Sequence, residues 1–168
     1  ILPRSAVRRR RPAASHAGSY AKIGLGISPG AITLYDQNAN DGADSINSQN
    51  YDEPFDIYSD QGADDFTVPA GHTWTVKQVN VTGIYFGGSG PARSVNVIFY
   101  NDAGGMPGTV VAECDNARAK NGPSFAIKLN ACSAVKLPAG TYWLSVIANQ
   151  NFNKGEWGWE VNSVVTGN

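Results

Sequence analysis

Long apolar runs, sulfur and evenly spread charge are all scarce in this 168-residue chain. No stretch approaches the roughly 20 consecutive apolar residues of a helical membrane span, so none is expected. There is one Met, and charged residues make up only 16% of the chain, while Gly contributes 19 positions and Pro 9. With Val, Thr, Tyr, Trp and Phe carrying the apolar content, that balance favours β structure. No window of eleven residues shows a helical stripe with caps. No signal peptide is legible at Ile1, so an exported chain would be a processed form or a fragment.

Positive charge is missing from a long internal span. Between Ile23 and Thr75 there is no Lys or Arg, yet nine acids fall there: Asp36, Asp41, Asp44, Asp52, Glu53, Asp56, Asp60, Asp64 and Asp65. The opposite holds at the start, where Arg4, Arg8, Arg9, Arg10 and Arg11 lie within eleven residues. Without those five, 8 of the 13 Lys and Arg face 14 acids, a body of −6 behind a basic arm. Such separation invites docking, within the chain or onto a neighbouring copy. It argues against nucleic-acid binding by the whole domain, because an acidic body repels a duplex. The arginine run itself suits an anionic polymer, a processing site or an assembly arm.

Catalytic signatures are absent. His16 lies in the arm and His72 in a Pro-Ala-Gly turn, without a nearby Cys, and no G-x-S-x-G, H-E-x-x-H or phosphate loop occurs. A mobile acidic loop is no substitute for the two fixed carboxylates of a glycosidase. The chain is therefore expected not to be an enzyme and to need no cofactor. Cys114 and Cys132, 18 positions apart across a hairpin-like return, lack metal-site or redox spacing. A disulfide in an oxidising compartment is expected, with two buried thiols as the alternative.

What is present reads as an all-β antiparallel sandwich or jelly roll over residues 31–168, behind an extended arm or linker at 1–30. Strand candidates are "AITLYD" (31–36), "DDFTVP" (64–69), "TWTVKQVNVTGIYF" (73–86), "SVNVIFY" (94–100), "TVVAE" (109–113), "SFAIKL" (124–129), "TYWLSVIAN" (141–149) and "EWGWEVN" (156–162). Alternation puts Trp74, Val76, Gln78, Asn80 and Thr82 on one side with Val79 and Val81 opposite, and aligns Val95, Val97 and Phe99. Residues 37–63 read as one long polar loop, of a length that is usually functional or held down. "FTVPAGHTWTV" and "VKLPAGTYWLSV" each read as strand, tight turn, strand.

Two sites emerge, each with two readings. Asp60, Asp64 and Asp65 could help to hold a structural calcium ion, although their spacing fits no EF-hand; otherwise they form a strand entry and a solvated loop. Trp157 and Trp159, at i and i+2, share one strand face. Exposed, and flanked by Tyr85 and Phe86, they would make a platform for sugar rings; buried, they are core.

"LYDQ" (34–37), "SQNYDEPFDIYSDQGADDFTVPAG" (48–71), "GIYFGGSGPARSVNVIFYNDAGGMPGTVVAE" (83–113) and "LPAGTYWLSVIANQNF" with "WGWE" (137–160) together resemble a β-sandwich accessory module of secreted and cell-surface bacterial proteins. Such modules stand near the ends of extracellular proteases and large surface proteins. The resemblance implies an exported, non-catalytic sandwich; the Arg-rich arm is not part of its pattern. Two functions follow as expectations. One is a subunit of an extracellular assembly whose arm contacts a copy of itself or another surface protein. The other is an adhesion module for carbohydrate (polysaccharide) or protein.

Overall fold

The computed structural model describes residues 20–21, 32–38, 41–119 and 122–164. Arg4 and Arg8–Arg11 lie outside the described residues, as does most of the expected arm. Among the described residues, eleven strands and two short 3-10 turns follow one another: β1 (Tyr20–Ala21), β2 (Asp41–Asn47), β3 (Gln49–Tyr51), β4 (Asp64–Val76), β5 (Gln78–Val81), β6 (Gly83–Phe86), β7 (Ser94–Asp102), β8 (Pro107–Ala117), β9 (Phe125–Lys128), β10 (Val135–Gln150) and β11 (Glu156–Asn162). The turns are Asp56–Tyr58 and Phe152–Lys154. The all-β sandwich-like class is as expected.

Strand β10 organises the larger sheet. It pairs antiparallel with β4 and β7 and parallel with β3, and β7 passes the ladder to β8. Strand β11 organises the second sheet, pairing antiparallel with β1, β2 and β6. β5 and β9 form a separate antiparallel pair. Between them lies one apolar core with Phe66, Val97, Phe99, Ile127, Leu137, Leu144, Val146, Trp157 and Trp159. The alternating set Val95, Val97 and Phe99 is buried as read.

Four expectations change. Residues 32–36 of "AITLYD" form no strand; only a bridge at Asp36 marks them. The supposed loop 37–63 contains β2 and β3, polar strands whose backbone partners come from β11 and β10. The two Pro-Ala-Gly copies are not tight turns. β4 and β10 run through them and face each other, with Thr73 opposite Pro138 and Val68 opposite Gly140, so the surplus residues bulge at one shared corner. Gly71 there takes φ 77°, a conformation that costs glycine little. Finally, Trp74, Val76, Val79 and Val81 are all buried. The ladder breaks at Lys77, whose carbonyl accepts from Leu129 N–H, and the break re-phases the alternation so both sets reach the core.

Cys114 and Cys132 form the expected disulfide, with Cα atoms 5.5 Å apart. The hairpin reading does not hold. Cys114 is on β8 of the large sheet and Cys132 lies in the bend after β9, which pairs with β5, so the bridge does not join two neighbouring strands.

Candidate functional site

The segment between β3 and β4 lies over β10 and is tied to it by hydroxyls. Ser48 Oγ donates to the Val146 carbonyl at 2.6 Å and accepts from Gly62 N–H. Ser145 Oγ donates to the Gly62 carbonyl at 2.6 Å, and Gln61 Nε2 donates to both Ser145 Oγ and Tyr100 Oη. Backbone bonds between Gln49 and Asp60 close the base of this loop. At its edge, exposed Arg93 pairs with Asp52 at 2.7 Å. These bonds hold the segment down on β10.

What the loop carries is a groove of about 260 Å³ lined by Gln49, Tyr51, Ile57, Tyr58, Asp60, Phe152 and Glu156. It sits where the two sheets meet, because Tyr51 comes from β3 of one and Glu156 opens β11 of the other. Phe152, in the turn between β10 and β11, is its centre. Phe55 stacks on it with ring centroids 4.3 Å apart and planes 12° apart. Tyr51 meets it edge-on at 5.2 Å and Tyr58 tilts against it at 5.6 Å. Phe152, Phe55, Tyr58 and Ile57 are nonetheless exposed, at 43%, 40%, 54% and 66%. An apolar patch rimmed with polar groups on a folded domain marks a contact surface.

Its lining carries two carboxylates and no cation, with Lys154 at the end of the Phe152 turn. Glu156 accepts from Asn47 Nδ2 at 2.6 Å, Asp60 lies at the wall, and Glu53 and Asp56 are exposed on the same loop. Tyr51 Oη donates to the Gly155 carbonyl, and burial first, then the Glu156 charge, pushes its phenol above the ordinary range. The Tyr51 hydroxyl therefore stays neutral and serves to fix the ring.

Of the described residues singled out from sequence, Asp60 lines this groove and the others fall elsewhere. Trp157 and Trp159 are fully buried, so they make no sugar platform. Trp157 Nε1 donates to the Pro123 carbonyl at 2.7 Å and its ring stacks on Phe125. Tyr85 and Phe86 are half-buried on β6 and flank no platform. Tyr85 Oη instead accepts from Ala92 N–H, fastening the loop before β7, and burial raises its pKa. Asp60, Asp64 and Asp65 are not brought together as a cation site. Asp60 is exposed on its bridge, while Asp64 and Asp65 are buried successive residues of β4. Among the described residues no three or more His, Cys, Asp or Glu stand close enough to hold a metal ion. Asp64 Oδ1 accepts from Asp65 N–H, and burial together with the Asp65 charge pushes the Asp64 carboxyl up to about 8.

The sequence reading does not single out Ile57, Tyr58 and Phe152 of the groove, nor Phe55 stacked on Phe152. The available signal was composition: "NYDEPFDIYSDQ" puts two Tyr, a Phe and an Ile into a loop without strand alternation, and "NQNFNKG" isolates one Phe among polar residues. Among the described residues, no helix is long and apolar enough to cross a membrane. No family model, curated protein or solved structure matches the chain.

Proposed function

We propose that this chain is an exported, non-catalytic β-sandwich subunit of an extracellular or cell-surface assembly, working through contact surfaces. The observation that carries the reading is the solvent-open groove around Phe152, where stacked rings stay exposed beside Ile57 and Tyr58. Its lining of rings, an amide and two carboxylates suits holding a partner. Its volume suits one or two side chains better than a whole small molecule, since ligand pockets usually run from about 300 Å³ upward. The Cys114–Cys132 disulfide supports an oxidising compartment.

A second reading, a carbohydrate- or protein-binding adhesion module, draws on the same groove. The exposed ring of Tyr58 could stack on a sugar ring while Asp60 and Glu156 accept from hydroxyls. Light scattering of the full chain over a concentration series separates the two. An assembly subunit gives masses at multiples of 17.8 kDa that grow with concentration. A chain that stays monomeric and is retained on polysaccharide overturns the assembly reading in favour of adhesion.

A further inference from the structure

We infer that the Phe152 groove is the receptor for the arginine arm of a second copy of this chain. The inference rests on the assembly reading and adds where on the neighbour the arm is held.

Three observations meet. First, the groove offers what a guanidinium needs. Arginine stacks on aromatic faces and pairs with carboxylates, and the two act together where an exposed ring is flanked by an acid. Tyr58 and Phe152 supply exposed faces, with Asp60 and Glu156 in the same lining. Second, the charge balance of the chain is complementary. Asp52, Glu53, Asp56 and Asp60 belong to the span with nine acids and no base, whereas Arg8–Arg11 are four consecutive cations outside the described residues. Among these acids Asp52 already has a partner in Arg93, so the demand falls on the others.

Third, the strand register favours exchange between copies. β1 pairs with the far end of β11, Tyr20 opposite Asn162 and Ala21 opposite Val161, while the groove lies at Glu156, where β11 begins. Six residue steps separate those ends, about 20 Å at strand rise. Since β1 is antiparallel to β11, the chain enters it from the end remote from the groove. An arm reaching its own groove would have to double back along the whole strand. This register places no such constraint on a neighbour's groove.

Four full-length proteins test this by light scattering: the parent, Arg8→Ser/Arg9→Ser/Arg10→Ser/Arg11→Ser, Phe152→Ser and Tyr58→Ser. The parent is expected to self-associate, and each variant to do so at least tenfold more weakly. Raising salt from about 50 to about 500 mM weakens the parent by a similar factor, because the contact is charge-assisted. Mixing the arm variant with a groove variant restores a two-chain complex, since one intact arm meets one intact groove. If Phe152→Ser fails to fold, Tyr58→Ser and Ile57→Ser, at more exposed positions, carry the same comparison. A parent that assembles while every variant assembles equally overturns this inference and leaves the assembly reading standing. A parent that is monomeric throughout overturns both. Variants that dissociate but never complement one another show docking within one chain, or a merely structural groove, and overturn the exchange.

Discussion

Gly83 lies flat against the indole of Trp157: a methyl group on its α-carbon would come within 2.5 Å of Nε1. The two belong to paired strands, β6 and β11, and Trp157 is fully buried with its N–H committed to Pro123. The ring has nowhere to go. Gly83→Ala is expected to destabilise the fold by about 1–3 kcal/mol through overpacking. Trp157→Ala should cost more, about 3–5 kcal/mol, by emptying the same site. Denaturant unfolding of both variants checks this. A Trp157→Ala protein as stable as its parent would contradict the core placement of that ring.

Reduction of Cys114–Cys132 is expected to lower the melting temperature. The bridge closes 18 positions of sequence and joins β8 to the turn after β9, where Cys132 N–H donates to the Leu129 carbonyl. The chain-entropy account puts a loop of this size at about 3 kcal/mol. In a domain of this length that is roughly 6–12 °C. Scanning calorimetry with and without reductant, beside Cys114→Ser/Cys132→Ser, gives the number. Reduction should leave the double variant unchanged.

The hydroxyls beneath the acidic loop should matter for it more than its own charges. Ser48→Ala removes the acceptor of buried Gly62 N–H and the donor to Val146, leaving both without that partner. A loss of about 1–3 kcal/mol is expected. Asp56→Asn, exposed on the loop, should change stability by less than about 0.5 kcal/mol. Limited proteolysis gives a second readout: cutting within residues 52–60 should accelerate in Ser48→Ala and not in Asp56→Asn.

Where the sequence could be read and where it could not has a physical division. "EWGWEVN" and "SVNVIFY" announce β11 and β7 because their β-branched and aromatic residues suit a pleated surface in isolation. "DGADSIN" forms β2 with residues that mostly disfavour strands, so its state comes from pairing with β11, over a hundred positions away in sequence. The i, i+2 spacing of Trp157 and Trp159 fixes a shared face but not what covers it; Phe125 and Pro123 decide that from another strand and its loop. The groove was hidden for the same reason. Phe55 and Phe152 lie in or beside 3-10 turns without periodicity, and only the return of β10 brings them together.

Asp64 should make stability depend on pH in the direction opposite to most carboxylates. It heads β4 fully buried, with its carboxyl pushed up to about 8 by desolvation and then by the Asp65 charge. In the unfolded chain an aspartate titrates near ~3.9. Between those values the folded protein keeps a proton that the unfolded chain has released, so this group's contribution falls as pH rises from about 4 to about 8 and levels off above. Each unit of separation corresponds to about 1.4 kcal/mol. Asp64→Asn carries no charge at any pH and removes the dependence. Melting curves at intervals between pH 4 and 9 should therefore show the variant gaining on its parent steadily up to about pH 8. A gap that stays constant across that range would mean that Asp64 ionises in the folded protein as readily as in the unfolded one, and that its carboxylate has found compensation within the sandwich.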